Sequence, residues 1–261
     1  SDEGKGAYEK AAALLDAAIK NKKNPYPTSL FFNTYDPKEG IVSRKGLQYD
    51  INIRPNIMLA ISAIKLEEAI KDNAEKKIYD EFASGLLGQI TNTFNAYTGH
   101  SYVSIIQGKE SVLDQVLTYY ALKELGRINN QSYPTYSDYL KEYLAYRYNK
   151  AEHRLDVNEG NPDDVKLLNM FFVNLLNNDE LKDVLTMSGI DPGSVDGEIA
   201  ILKKDYYKIP DLGYEELDRY LDKDPYLKIM FSTWVKENTL TKEQSEVMDK
   251  TLSKPLADRL S

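Results

Sequence analysis

Amphipathic helical patterns, several with their own start signal, occupy most of this 261-residue chain. In YEKAAALLDAAIK and NIMLAISAIKLEEAIKDN, apolar residues recur every three or four positions, which is the spacing of a helix with one buried face. Ser111 stands three residues before Asp114, and Thr135 three before Asp138, as N-cap residues do. Two short runs, SYVSII (101–106) and GEIAIL (197–202), have the composition of strands but no evident partner. The sequence therefore predicts an all-α fold.

The predicted helices are distributed along the whole chain. They cover residues 6–22, 56–72 and 74–94, a helix from Ser111 to Gly126, helices that open at Thr135 and Asn161, weaker segments at 179–185, 214–221 and 225–237, and a last helix from Thr241 to near Pro255. Long segments that contain proline and glycine, such as residues 23–54, separate several of them. We expect irregular loops at these places.

A weak internal repeat relates the helices. Laying SAIKLEEAIKDN (62–73) on YYALKELGRINN (119–130) aligns Leu66 with Leu122, 56 residues apart, and Leu15 precedes Leu66 by 51 residues. This spacing favours stacked helical hairpins with long irregular loops, either a partial α/α toroid or a helical-repeat solenoid. The alternative is that any two amphipathic helices align this well.

The chain is expected to form a single all-α domain over residues 6–261, and 150–162 is where a subdivision would fall. Residues 1–5 are predicted to be a disordered tether. The acidic opening SDEGKG is similar to the segment that follows the lipidated cysteine in surface lipoproteins of the Bacteroidetes. This resemblance implies an extracytoplasmic location, on the outer-membrane surface, with a lipid anchor; the alternative is an ordinary frayed terminus.

Charge and composition exclude several classes of function. A net charge of -8 disfavours nucleic acid and anionic membrane surfaces as partners. No apolar run approaches the roughly 20 residues of a transmembrane helix, and the densest patch, NMFFVNLL, is interrupted by asparagine. The absence of cysteine excludes thiolate chemistry, and with two histidines we predict no metal site and no cofactor. Any chemistry would use carboxylates, hydroxyls, lysine or arginine.

The segment YDINIRPNIMLAIS (49–62) is the strongest candidate for a binding site. Pro55 suits the first turn of a helix, and this arrangement would leave first-turn amides near an opening. Side chains that could hold sugar hydroxyls or a carboxylate there are Asp50, Asn52, Arg54 and Asn56. The alternative is structural: Asp50 and Arg54 pair with each other or with neighbouring hairpins.

Residues 30–62, LFFNTYDPKEGIVSRKGLQYDINIRPNIMLAIS, resemble one hairpin of the (α/α)6-toroid glycoside hydrolases of the glycogen-debranching and glucoamylase type. The matching residues are Phe31, Phe32, Gly40, Asp50, Ile53, Arg54, Pro55, Asn56, Ala60 and Ser62. The resemblance covers about 33 of the 261 residues and implies a helical toroid that acts on glycans. It assigns no catalytic residue, because the catalytic acids of that family belong to other hairpins.

The two histidines of the chain occur in different sequence contexts. In YTGHSY (97–102), His100 and Tyr102 occupy the second long loop, at the position equivalent to the first loop in the repeat, and could contact a sugar. The alternative for His100 is an ordinary surface position. His153, in KAEHRLD, is predicted to lie at a charged helix end, where capping explains it.

Two further patterns have a structural and a functional interpretation. Tyr136, Tyr139, Tyr143 and Tyr146 share one helical face, which either packs in the core or forms a recognition surface. DVNEGNPDD (156–164) is faintly similar to a calcium loop, but helix capping explains most of it.

Two functions follow from these patterns. The first is an exported surface protein that binds or hydrolyses a glycan in a loop-lined groove. An enzyme of this kind would be similar to glycoside hydrolases, with two facing carboxylates, for which Asp36, Glu39 and Asp50 are candidates in the first loop. The alternative is a non-catalytic helical-repeat protein that binds a protein partner.

Overall fold

The structure, a computed structural model, describes residues 53–92, 111–129, 134–157 and 165–206, all within one compact unit, Ser1–Tyr207. Predictions for other segments lie outside the described residues: the tether, the first helix, the helices beyond residue 206, SYVSII, and most of the calcium-like loop. The single-domain prediction stays a prediction.

The described part of the chain is all-α, as predicted, with one very small hairpin of strands. Its seven helices are α1 (Ile53–Ala69), α2 (Asn73–Asn92), α3 (Val112–Asn129), α4 (Pro134–Arg147), α5 (Val165–Leu175), α6 (Asn178–Met187) and α7 (Val195–Tyr206). Strands β1 (Tyr148–Asn149) and β2 (Arg154–Leu155) pair antiparallel between α4 and α5.

Local capping sets several helix starts. The backbone N–H of Asp114 donates to Ser111 Oγ at 3.0 Å, which confirms the predicted N-cap of α3. The end of α3 was predicted at Gly126 but lies at Asn129. Arg127 explains the extra turn, because its guanidinium bonds Glu68 of α1 and Glu124 of its own helix.

Helix α6 begins with a capping box. The backbone N–H of Glu180 donates to Asn177 Oδ1 at 2.9 Å, and the N–H of Asn177 donates to Glu180 Oε2 at 2.7 Å. We expect Asn177→Ala to lower the free energy of unfolding by about 1 kcal/mol, because the N–H of Glu180 loses its side-chain acceptor. Urea unfolding of this variant beside Asn178→Ala would measure the cost. Equal, negligible losses would show that the cap contributes little.

Two predictions near the β-hairpin and α7 are wrong. GEIAIL does not form a strand but lies inside α7, where Val195, Ile199 and Leu202 are buried at helical spacing. His153 does not end a helix: it lies in the β1–β2 turn with φ 50. Asn149 explains this turn, because its Oδ1 accepts from the N–H groups of Ala151 and Glu152.

Helices α1, α3, α5 and α7 form a row of parallel helices. At one end of α1 and α3, Arg54 pairs with Asp114, and at the other end Glu68 pairs with Arg127. Lys123, near the end of α3, donates to the carbonyl of Leu175 at the end of α5 at 3.0 Å. The amide of Asn174 in α5 donates to the carbonyl of Tyr206, the last residue of α7. The four N-termini therefore lie along one edge of the row, here called the N-terminal edge.

The other three helices run back against this row. Helix α2 packs on α1 and α3, α4 packs on α3 and α6, and α6 packs on α7. This is the predicted arrangement of stacked helical hairpins. Leu66 and Leu122, which the repeat aligns, are both buried in neighbouring parallel helices. The links at the opposite edge are short between α1 and α2 (70–72) and between α5 and α6 (176–177), whereas residues 93–111 separate α2 from α3 in the sequence.

A buried asparagine attaches the β-hairpin to α5. Asn169 Oδ1 accepts from the N–H of Leu155 at 2.7 Å, and its Nδ2 donates to the carbonyl of Leu155 at 3.0 Å. The amide thus pairs with the backbone of β2 as a further strand would. This explains why NMFFVNLL is interrupted: Asn169, although wholly buried, has partners for both ends of its amide.

Candidate functional site

An ion pair joins the first turns of α1 and α3 at the N-terminal edge. Arg54 Nε lies 2.6 Å from Asp114 Oδ1, and Arg54 Nη2 donates to Ser111 Oγ at 3.1 Å. The Asp114 side chain is only 7% exposed. Arg54 therefore pairs with a neighbouring hairpin, the alternative that the sequence left open for this residue.

Other polar side chains near the starts of α1 and α3 are also buried. Asn56 is wholly buried in the first turn of α1, and Thr118 is wholly buried in α3 one turn after Asp114, to whose carbonyl its Oγ1 donates at 2.7 Å. Gln115 Nε2 donates to the carbonyl of Ser111. Of the predicted site residues, Arg54 thus pairs with the start of α3, and Asn56 is buried in the same turn of α1.

The remaining predicted site residues, Asp50, Asn52, His100 and Tyr102, lie outside the described residues. Their convergence with Arg54 stays a prediction. Both Asp50 and Asn52 precede α1 in the sequence.

The end of α4 brings an aromatic group to the N-terminal edge, because α4 runs opposite to α3. The guanidinium carbon of Arg147 lies 5.5 Å from the centre of the Tyr143 ring and 5.2 Å from that of Tyr146. Arg147 Nε also donates to the Tyr143 hydroxyl at 3.2 Å. Tyr143 is buried, whereas Tyr146 is 72% exposed. We call Tyr143, Tyr146 and Arg147 the tyrosine–arginine platform.

The predicted tyrosine stripe therefore divides between its two interpretations. Tyr143 packs in the core, whereas Tyr146 at 72% and Tyr139 at 40% exposure lie on the surface. The periodicity of the stripe is helical, but the neighbouring elements decide which rings they cover. Tyr146 is the ring nearest the end of α4, where the chain turns into β1.

A second group of side chains at this edge is centred on a buried carboxylate. Glu198, in the first turn of α7, accepts from the Tyr148 hydroxyl, and its Oε1 lies 2.8 Å from His153 Nδ1. Burial, together with the hydrogen bond to Glu198, raises the pKa of Tyr148 well above its ordinary value. The Glu198 carboxylate thus attaches both β1 and the hairpin turn to α7.

Sequence reasoning missed the pairing of Glu198 with His153. The strand-like composition of GEIAIL led away from a helix, so Glu198 was not recognised as part of an acidic first turn. Asp196 and Glu198 before Lys203 and Lys204 form the charge pattern of a helix, which is the signal that could have found it.

Among residues 53–92, 111–129, 134–157 and 165–206, no group of three or more histidine or acidic side chains is arranged to hold a metal ion. No helix within these ranges combines the length and apolar character needed to cross a membrane. The described groups of the N-terminal edge offer fixed hydrogen-bonding side chains and one exposed aromatic ring.

Comparisons of the chain with family models, with curated proteins and with solved structures found no match.

Proposed function

We propose that this protein binds a glycan at the N-terminal edge of its helical row. The observation that carries the proposal is the tyrosine–arginine platform: Tyr146 is exposed, and Arg147 is held beside it by the buried Tyr143. The resemblance of residues 30–62 to one hairpin of glycan-acting toroids supports the same ligand class.

The chemistry of a sugar matches this edge. A sugar ring has an apolar face, which packs on an exposed aromatic ring, and a rim of hydroxyls, which need fixed donors and acceptors. Tyr146 supplies the ring, and Arg147 supplies donors at a position fixed by Tyr143. The buried Arg54–Asp114 pair serves as the rigid base of the edge, because it fixes the starts of α1 and α3 relative to each other.

The proposal places the protein outside the cytoplasm, in keeping with the resemblance of SDEGKG to a segment of surface lipoproteins. A glycan ligand suits that location. The proposal is for binding, and hydrolysis is a further question that a confirmed ligand would open.

A protein partner is the second candidate, favoured by apolar side chains on the surface. Ile78 of α2, Met187 of α6 and Ile201 of α7 are exposed. Large exposed apolar side chains contribute to protein interfaces when they are grouped. This candidate predicts binding that does not depend on Tyr146.

The test is a thermal-shift and calorimetric screen of the purified protein against poly- and oligosaccharides. A ligand of the native state raises the melting temperature with concentration. We expect Tyr146→Ala to lower the affinity for any glycan that binds by on the order of tenfold, since stacking on one ring contributes about 1 kcal/mol or more. The variant should fold normally because the side chain is exposed.

Tyr139→Ala is the matched control, because it removes an exposed tyrosine from the same helix about two turns from the edge. It should bind like the wild type. Retained affinity in Tyr146→Ala, or the absence of any glycan ligand, would contradict the proposal and favour a protein partner. Arg54 is unsuitable for this test, because its loss would destabilise the fold.

A further inference from the structure

Glu67 is a buried carboxyl group in the last turns of α1. Glu67 is 6% exposed, and its Oε2 is buried without a hydrogen bond to any of the described residues. Its neighbour Glu68, in contrast, bonds Arg127 and Lys65 at the surface. A buried carboxylate without partners is costly when charged and much less so when protonated.

The groups that face Glu67 do not compensate its charge. From α2, Asp80 opposes ionisation and Lys76 favours it, and on α1 itself Glu68 opposes it. From α3, Arg127 and Glu124 are engaged with Glu68 and Lys65, and Asn129 donates its amide to Asp80 Oδ1 at 3.2 Å. Burial first, and the Asp80 carboxylate second, raise the pKa of Glu67 above its ordinary value.

We propose that Glu67 makes the α1–α2 hairpin pH-sensitive: the hairpin packs with Glu67 protonated, and loss of this proton as the pH rises weakens the packing of α1 against α2. The proton compensates for the partner that Oε2 lacks, because a neutral carboxyl group tolerates burial better than a charged one. Local opening of this hairpin then becomes more frequent at higher pH.

The direction in which stability changes with pH follows from the linkage between protonation and folding. The folded state holds the Glu67 proton more tightly than the unfolded chain does, so the stabilisation is fully present below the ordinary glutamate pKa and is lost as the pH rises through the raised value. Glu68 acts in the opposite direction. Although burial acts against it, the hydrogen bond from Arg127 and the charge of Lys65 lower the pKa of Glu68, so its contribution is lost as the pH falls.

Hydrogen exchange read by mass spectrometry tests the proposal, with rates corrected for the intrinsic pH dependence of exchange. From pH 5 to pH 8, peptides of α1 and α2 should lose protection relative to peptides of α6 and α7. The loss is about tenfold for each pH unit by which the pKa of Glu67 is raised. Glu67→Gln should abolish this dependence and protect the hairpin better than the wild type at pH 8, because the amide cannot ionise.

Glu81→Gln is the matched control, since Glu81 is an exposed carboxylate of α2, and it should keep the wild-type dependence. Asp80→Asn should weaken the dependence, because it removes a charge that opposes ionisation of Glu67. The same pH dependence in wild type and Glu67→Gln would overturn the proposal. So would failure of Glu67→Gln to fold, because this variant mimics the protonated side chain. Neither outcome bears on glycan binding.

Discussion

Arg54→Met is expected to lower the free energy of unfolding by about 3 kcal/mol. Methionine keeps much of the length of the side chain but removes the cation that Arg54 supplies to the Asp114 carboxylate, which is only 7% exposed. Removing one member of a largely buried ion pair is costly, because the remaining charge stays desolvated. Ser111 Oγ would also lose the donor that Arg54 provides. Urea unfolding followed by circular dichroism measures the loss as a lower midpoint with an unchanged slope.

Two further variants make this result specific. Adding Asp114→Asn to Arg54→Met should restore part of the loss, since the buried negative charge is removed. Lys77→Met breaks an exposed pair with Glu81 and should change the free energy of unfolding by less than about 0.5 kcal/mol. A cost below about 1 kcal/mol for Arg54→Met would mean that the pair does not join the two hairpins.

Asn169→Leu is expected to have the second large effect, lowering the free energy of unfolding by about 2–5 kcal/mol. Leucine has nearly the same volume, but it leaves the N–H and the carbonyl of Leu155 without their side-chain partner. Each buried backbone group without a partner costs about 1–3 kcal/mol. Urea unfolding gives the size of the loss, and hydrogen exchange at the Leu155 amide should show where it arises.

Asn174→Leu is the control on the same helix. Its amide donates to the carbonyl of Met170, within one turn, and to that of Tyr206 at the end of α7. Neither contact supplies a backbone N–H with its acceptor. This variant should therefore lose less free energy of unfolding than Asn169→Leu. If the two variants lose equal stability, the bidentate pairing with β2 is not what makes Asn169 important.

The parts of the fold that were predictable are those encoded within a few residues. Ser111 caps α3 through a bond to a residue three positions away, and such contacts depend little on the rest of the chain. The β-hairpin was missed because two-residue strands carry no periodic signal, and its position depends on Asn169 and Glu198, which are distant in sequence. GEIAIL was ambiguous for the same reason, since short apolar runs suit both helix and strand.

The candidate site shows the same division. The sequence singled out Arg54 and the tyrosine stripe, because unusual residues at a helix start and a helical period are visible locally. It did not show that Arg54 pairs with Asp114, 60 residues later, or that Tyr143 is buried while Tyr146 is not. Those facts depend on which helices become neighbours, and only the folded structure contains that information.

The links between helices differ in length, and this difference decides where the chain can accept insertions. Residues 70–72 and 176–177 connect helices tightly at one edge, so an insertion there would shift the hairpin packing itself. At the N-terminal edge, the distance between α2 and α3 is set by the packing of the two helices along their lengths, and in the sequence residues 93–111 separate them. New recognition properties can therefore be grafted or selected at that edge while the helical scaffold is inherited unchanged.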